Sequence, residues 1–220
     1  MWCHNDKNNF MSSTEGQLNE HTLAGQLIIN VIKYNNLKYI LDIGTWNGLG
    51  STKCILLGIE NNINQKPKLI SIESNKDKNI IAKNNLKYFL ENNENNIQLL
   101  HGSILEKSDI HDIDTIFPEL LNNSEFIRWH NIDMVNIENS PYLYNNLPNE
   151  FDFVLFDGGE FTTYYEFEKI FPRCTKFIAL DDVNVSKCIK IRTYLNSHPQ
   201  WSELNYINER NGFSLFIKNL

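Results

Sequence analysis

Acidic residues directly follow two predicted strands in the second half of the chain. The apolar run 151–157 ends in Asp157, and the strand predicted at 176–180 is followed by Asp181 and Asp182. These two strands should be neighbours in a sheet, so the acids at their carboxyl ends should converge. Three carboxylates within a few ångströms repel one another, and one takes up a proton unless a cation is present. A hard divalent ion such as Mg²⁺ resolves that repulsion, which makes the three aspartates candidate metal ligands.

A glycine-containing turn follows the first predicted strand. The β-rich run 39–43 contains Asp42 and breaks at Gly44, Gly48 comes four residues later, and helix-compatible residues begin at Ser51. A strand, a glycine turn and a helix start together bring backbone N–H groups against a ligand. Gly44 should adopt a backbone angle that a side chain forbids, and Gly48 should allow close approach of the ligand. The spacing differs from the dinucleotide pattern G-x-G-x-x-G, which weakens a nicotinamide or flavin assignment.

Helical and extended segments alternate along the chain and predict a mostly parallel sheet with helices on both faces. Strands are predicted at 38–43, 69–73, 97–101, 151–157 and 176–180, and helices at 15–34, 50–60, 74–90, 163–171 and 185–195. The segments 201–208 and 214–218, joined through Asn211-Gly212, predict a terminal antiparallel pair. The helix at 163–171 should open with a capping box formed by Thr163 and Glu166.

The chain is predicted to form one domain over residues 1–220, with a polar lead-in at 1–14. The segment 106–150 is too long for a simple connection and is predicted to be an insert that could cover the site as a lid. It should hold a helix at 113–121 and an irregular part whose aromatic residues either line the site or anchor the loop to the core. These aromatic residues are Trp129, His130, Tyr142 and Tyr144.

Composition is that of a soluble globular protein, with 41% hydrophobic and 21% charged residues. The net charge of −7 and the absence of a Lys/Arg block argue against nucleic acid as the main partner. Four cysteines without paired spacing predict reduced thiols and a cytoplasmic location. No apolar run approaches the roughly 18 residues of a membrane span. A homodimer is left open.

Five short motifs follow one another between about residues 39 and 182. They are Asp-Ile-Gly-Thr-Trp-Asn-Gly-Leu-Gly-Ser from Asp42, Ser-Ile-Glu ending at Glu73, Leu-Leu-His-Gly-Ser ending at Ser103, Phe-Val-Leu-Phe-Asp-Gly-Gly-Glu ending at Glu160, and Phe-Ile-Ala-Leu-Asp-Asp ending at Asp182. In this order they resemble the motifs of class I S-adenosylmethionine-dependent methyltransferases, and most closely those of the metal-dependent sugar O-methyltransferases. The resemblance implies a Rossmann-like α/β fold with a seven-stranded sheet and a closing C-terminal hairpin.

The resemblance also implies which residues bind S-adenosylmethionine. Glu73 would accept hydrogen bonds from both ribose hydroxyls, because a carboxylate offers paired acceptors. Gly102 and Ser103 would lie by the adenine, with a backbone N–H or the Ser103 hydroxyl as donor, and Asp42 would organise the turn near the amino-acid end. The full set is Asp42, Gly44, Thr45, Gly48, Ser51, Glu73, Gly102, Ser103 and Asp157.

The implied reaction is methyl transfer to a hydroxyl of a small molecule, a sugar or a glycan residue. Mg²⁺ on the three aspartates would bind substrate hydroxyls, lower the pKa of one and direct it at the methyl group. Asp157 and Glu160 are the candidate catalytic residues, although relatives often carry His or Lys where this chain has Glu160.

Other interpretations stay open. Asp157 alone could contact a ligand while Asp181 and Asp182 cap the next helix. Transfer could proceed without metal, to nitrogen or a carboxylate, or the domain could be a non-catalytic binding module. A nucleotide-sugar dehydrogenase or reductase is disfavoured by the glycine spacing.

Overall fold

The computed structural model describes residues 17–219, and these form one seven-stranded sheet in the order β3-β2-β1-β4-β5-β7-β6. The strands are β1 (Tyr39–Ile43), β2 (Lys68–Glu73), β3 (Ile97–His101), β4 (Phe151–Phe156), β5 (Cys174–Asp181), β6 (Trp201–Ile207) and β7 (Phe213–Lys218). β1 to β5 pair in parallel, and β7 runs antiparallel to both β5 and β6. The predicted mostly parallel sheet with a C-terminal hairpin is confirmed.

Helices cover both faces of this sheet. They are α1 (Leu23–Tyr34), α2 (Ser51–Glu60), α3 (Lys76–Asn85), α4 (Lys87–Asn92), α5 (Ile113–Ile116), α6 (Ser124–Glu138), α7 (Thr163–Ile170) and α8 (Ile189–Ser197). Alternate residues of β4 enter two different cores: Phe153 packs in the core with α1 and α2, and Val154 in the core with α7 and α8. A strand buried on both faces therefore reads as a continuous apolar run. A bilayer-crossing helix is absent from residues 17–219, whose helices are too short or too polar for one.

The insert is more helical than predicted. The helix expected at 113–121 is split, because α5 ends before Pro118 and a 3₁₀ turn follows over Pro118–Asn122. The longer helix α6 was not predicted; it begins after Asn123, whose side chain accepts the Glu125 and Phe126 N–H groups. The aromatic residue Tyr144 stacks on the Arg173 guanidinium and anchors the following loop. The role of the insert as a lid stays a prediction.

Several element ends differ from the prediction. The capping box at Thr163 is wrong, because α7 begins at Thr163 after the N-cap Thr162, which makes no side-chain cap hydrogen bond. α8 begins at Ile189 rather than 185, and the helix predicted at 74–90 breaks at Leu86. α1 begins at Leu23, where the Thr22 hydroxyl accepts the Gly25 N–H. The predicted lead-in 1–14 lies outside the described residues.

The strand order reverses at β1. The chain adds β2 and β3 on one side of β1, then crosses to place β4 and β5 on the other side. The carboxyl ends of β1 and β4 therefore border the crevice where open α/β sheets bind ligands. Gly44 directly follows β1 and Asp157 directly follows β4.

Candidate active site

The turn after β1 is held between the two neighbouring strands. Gly44 has φ +100°, and a Cβ atom there would overlap the carbonyl oxygen of Asp157. The N–H groups of Gly44 and Thr45 both donate to the Ile72 carbonyl at 3.0 and 3.2 Å. Because a side chain fits neither the angle nor the space, glycine at 44 is required, as predicted.

Gly48 packs against the break between α3 and α4. It has φ +80°, a Cβ atom there would overlap the Leu86 side chain, and Gly48 lines neither of the cavities described below. Its small size therefore admits Leu86, and the predicted approach of a ligand to Gly48 stays a prediction.

Asp42 is the buried organiser of this turn. Its Oδ2 accepts hydrogen bonds from Thr52 Oγ1 and Ser71 Oγ, both at 2.7 Å, and Ser71 Oγ also lies 2.5 Å from Thr45 Oγ1. Burial raises the pKa of Asp42 to about 6, against the effect of the two hydroxyl donors. The side chain of Asp42 is fully buried, and it fixes the turn without lining either cavity.

Two adjacent cavities lie at the carboxyl ends of the strands. The first cavity, of about 260 Å³, is lined by Glu73, Gly102 and Ser103 together with residues of α6. The second cavity, of about 240 Å³, is lined by residues that follow β5 and by Thr45 and Ser51. They share a wall made by Gly44, Trp46, Asp157 and Gly158.

Glu73 is held rigidly in the first cavity. Its Oε2 accepts the Trp46 N–H at 2.7 Å and its Oε1 accepts the Asn75 N–H at 2.8 Å. Each carboxylate oxygen has a second lone pair, so both stay able to accept a hydrogen bond from a ligand. Burial raises the pKa of Glu73 above its usual value, in opposition to the two N–H donors.

The backbone donors expected at Gly102 and Ser103 are already used. The Gly102 N–H donates to the Glu73 carbonyl and the Ser103 N–H to the Pro141 carbonyl, both at 2.9 Å. Ser103 Oγ accepts the Leu105 N–H at 2.9 Å, which leaves its hydroxyl proton for a ligand. The predicted backbone donor at this position is therefore wrong, and the hydroxyl alternative stays a prediction.

Two further acids line the first cavity, and neither was predicted as a site residue. Asp133 lies on α6, and Glu166 lies on α7 with an Oε2 atom that has no hydrogen-bond partner among residues 17–219. Burial, reinforced by Glu73, raises the pKa of Asp133 to about 7. Burial, reinforced by Asp133 and Glu73, raises the pKa of Glu166 to about 8. The cavity therefore favours a ligand that donates hydrogen bonds or carries positive charge.

The three predicted aspartates converge in the second cavity. Oxygen atoms of Asp157, Asp181 and Asp182 lie within 4.8 Å of one another. Burial, reinforced by the other two aspartates, raises the pKa of Asp181 to about 7. The alternative that Asp181 and Asp182 cap the next helix is wrong, because α8 begins after Cys188.

Two basic residues that were not predicted as site residues pair with these acids. Lys187 Nζ lies 2.9 Å from Asp157 Oδ1 and 2.7 Å from Asp182 Oδ2, and Arg210 Nη1 lies 3.2 Å from Asp181 Oδ2. Although burial alone would lower it, the three aspartates raise the pKa of Lys187 well above its usual value. Conversely, burial would raise the pKa of Asp182, but Lys187 and Arg210 hold it below its usual value. This ammonium lies between two of the carboxylates that were predicted to bind a divalent ion, so an ion at that position would have to displace it.

The remaining predicted residues take supporting positions. Ser51 Oγ donates to Asp157 Oδ2 at 3.1 Å, so it orients the acid at the shared wall. Glu160 Oε1 accepts the Lys187 backbone N–H at 3.1 Å, and Glu160 lines neither cavity. The structure thus gives Glu160 a contact that positions Lys187, and its predicted role as general base stays untested.

No family model matches the sequence, and no curated protein matches it. Solved structures do share the fold. A proposed caffeoyl-CoA O-methyltransferase from Staphylococcus aureus aligns over 90% of this chain and 84% of its own, with 20% identity and a TM-score of 0.59. An O-methyltransferase from Bacillus cereus in complex with SAH aligns over 94% and 82%, with 16% identity and a TM-score of 0.54. TomG, an O-methyltransferase from Streptomyces achromogenes involved in tomaymycin synthesis and solved with SAM, aligns over 89% and 79%, with 14% identity and a TM-score of 0.54. This chain has the fold of these methyltransferases.

Proposed function

We propose that this protein is an S-adenosylmethionine-dependent O-methyltransferase that acts on a hydroxyl group of a small molecule. The observation that carries the proposal is the pair of cavities that meet at Asp157. The first offers a rigid carboxylate at the end of β2, and the second offers a cluster of acids and bases. Structures of the same fold solved with SAM or SAH support the assignment of the cofactor.

The first cavity provides the groups that a nucleoside needs. Glu73 would receive the two ribose hydroxyls on its two oxygens, and the Ser103 hydroxyl would donate to the adenine. The turn at Gly44 would carry the amino-acid end of the cofactor to the shared wall. When bound, S-adenosylmethionine supplies a methyl group on a cationic sulfur, and the surrounding carboxylates favour that charge.

The second cavity would hold the acceptor. Its hydroxyl would donate its proton to a carboxylate of the cluster, at Asp157 or Asp181, because both line this cavity. The oxygen then forms a bond to the methyl carbon while the carbon–sulfur bond breaks, and the bonding electrons stay on sulfur. The transfer is an in-line displacement, so alignment of acceptor and methyl across the shared wall contributes much of the rate.

A sugar or glycan residue is the proposed acceptor class. Polyhydroxylated molecules donate several hydrogen bonds, and the cluster offers carboxylate oxygens to accept them. The same negative charge disfavours a carboxylate acceptor. A Mg²⁺-assisted form of the reaction is the second candidate, favoured by the three aspartate oxygens within 4.8 Å of one another. It requires the ion to displace the Lys187 ammonium.

The test is a transfer assay with methyl-labelled S-adenosylmethionine against a panel of sugars, catechols and amines. We expect label to enter sugar hydroxyls, and we expect Asp157→Asn to lower the rate by about 100-fold or more. The matched control is Asp77→Asn, which removes an exposed acid on α3 and should leave the rate unchanged. Label entering amines and not hydroxyls would refute the O-methyltransferase assignment. Cofactor binding without transfer to any acceptor class would favour a binding module.

A further inference from the structure

The acid cluster of the second cavity already contains its own cations. Lys187, whose side chain is 11% exposed, contacts two of the three aspartates. Arg210 contacts Asp181 at 3.2 Å and Asp182 at 3.7 Å. Every carboxylate of the cluster therefore has a basic partner, and the formal charge of the five side chains is −1 rather than −3.

The Lys187 ammonium lies where a divalent ion would have to bind. Its nitrogen is within 3 Å of oxygens from both Asp157 and Asp182, the pair that bridges β4 and β5. A Mg²⁺ ion needs such oxygens at about 2.1 Å, so it cannot share them with the ammonium. Repulsion between the two positive charges would add to this conflict.

The backbone around Lys187 is built to hold it there. Asp182 adopts a left-handed conformation with φ +58°, which turns the chain out of β5. Val183 N–H then donates to the Gly212 carbonyl at 3.1 Å, and this ties the segment to the β6–β7 turn. At the other end, the Lys187 N–H donates to Glu160 Oε1 at 3.1 Å. Lys187 is thus fixed on both sides and is not a mobile surface lysine.

We infer that Lys187, assisted by Arg210, takes the place of a divalent metal ion in this site, so that methyl transfer here needs no metal. An ammonium group has three N–H donors, and the aspartates accept two of them. The third is the donor for the acceptor oxygen in the cavity that Lys187 lines. There the positive charge stabilises negative charge that develops on the oxygen as its proton leaves. The catalytic part of this inference rests on the proposed function, but the occupancy of the ion position does not.

The experiment counts bound Mn²⁺ by electron paramagnetic resonance and calorimetry, in the wild-type protein and in Lys187→Met. We expect the wild type to bind no ion at this site up to about 1 mM Mn²⁺. Lys187→Met should gain one site, because removing a unit charge about 4 Å from a divalent ion strengthens binding about 30-fold even with the screening of bulk water. Adding Asp157→Asn to that variant should abolish the site.

Three controls separate occupancy from general effects. Lys187→Arg keeps the charge and should gain no ion. Lys169→Met removes another half-buried lysine, which pairs with Asp109 away from the cavities, and should also gain none. Thermal unfolding confirms that each variant is folded. The wild-type titration is decisive even if Lys187→Met does not fold.

The inference is overturned if wild-type protein binds one Mn²⁺ well below 1 mM and Asp157→Asn removes it. It is equally overturned if folded Lys187→Met gains no ion. S-adenosylmethionine binding, measured on the same samples, tests the proposed function separately. Its failure would overturn that function and leave the position of Lys187 standing. Transfer by the wild type should persist in EDTA, and its loss there would contradict the metal-free reaction.

Discussion

The carboxyl group of Glu166 should make the stability of this protein fall as pH rises. Glu166 is buried beside Asp133 in the first cavity, and its pKa is raised by burial to about 8 from 4.5. Between these two values the folded protein keeps a proton that the unfolded chain has released. The stability contributed by that proton is complete below about pH 4.5 and is lost as pH rises through about 8.

The size of the effect follows from the two pKa values. One pKa unit corresponds to about 1.36 kcal/mol. Between pH 5.5 and 8.5 the linkage relation gives a loss of about 3 kcal/mol in unfolding free energy from this group alone. In Glu166→Gln this contribution disappears. Between pH 5.5 and 8.5, the unfolding free energy of the variant should therefore rise by about 3 kcal/mol relative to that of the wild type.

The assay is urea denaturation of both proteins at several pH values. A difference in unfolding free energy that is the same at every pH comes from the changed packing and hydrogen bonding of the amide. A difference that changes with pH comes from ionisation of the Glu166 carboxyl group. Glu168→Gln is the matched control for the change from carboxylate to amide, because Glu168 lies exposed on the same helix and lines neither cavity. If the unfolding free energies of wild type and Glu166→Gln change with pH in parallel, the reasoning is refuted.

Three further predictions concern the turn and the first cavity. Ser71→Ala removes a hydrogen-bond donor to the buried Asp42 and should lower the free energy of unfolding by about 1–3 kcal/mol, as measured by urea denaturation. An unchanged denaturation midpoint would contradict the role of Ser71 in holding Asp42. Gly44→Ala should lower the free energy of unfolding by more than about 3 kcal/mol or prevent folding, because the left-handed turn has no room for a Cβ atom. A loss of less than about 1 kcal/mol in the free energy of unfolding, measured by urea denaturation, would argue against this requirement for glycine at 44. The affinity ratio of S-adenosylmethionine to its demethylated product should rise from about pH 6 to 8.5 as the cavity acids around Glu166 ionise. Calorimetry with both ligands measures the ratio, and a flat profile would show that these acids do not sense the sulfonium.

The sheet and the acid cluster were predictable because each depends on local sequence and on one topological rule. The apolar run of β4 and the glycine at 44 mark a buried strand and a turn without reference to the rest of the chain. The carboxyl ends of parallel strands meet at one edge, so Asp157 and Asp181 could be placed together. The same rule placed Glu73 at this edge, because it ends β2.

The basic partners and the insert helix were not predictable in this way. α6 carries polar residues on most of its surface and buries only Ile137, so hydrophobic periodicity does not indicate a helix there, and Asp133 was missed with it. Lys187 contacts the aspartates because of the left-handed turn at Asp182, which the sequence pattern does not show. Arg210 did carry a signal. It precedes the predicted Asn211-Gly212 turn, and an antiparallel β7 beside β5 returns that turn to the edge where Asp181 lies.

The most direct test of the proposed cofactor site is a calorimetric titration of S-adenosylmethionine into wild-type protein and Glu73→Gln. The substitution keeps the shape of the side chain but removes its charge and one of its paired acceptors. We predict one cofactor per chain in the wild type and a loss of about tenfold or more in affinity for Glu73→Gln. Glu91→Gln, an exposed control, should bind as the wild type does. Absence of binding to the wild type, or equal affinity in both proteins, would contradict the assignment of this cavity to the cofactor.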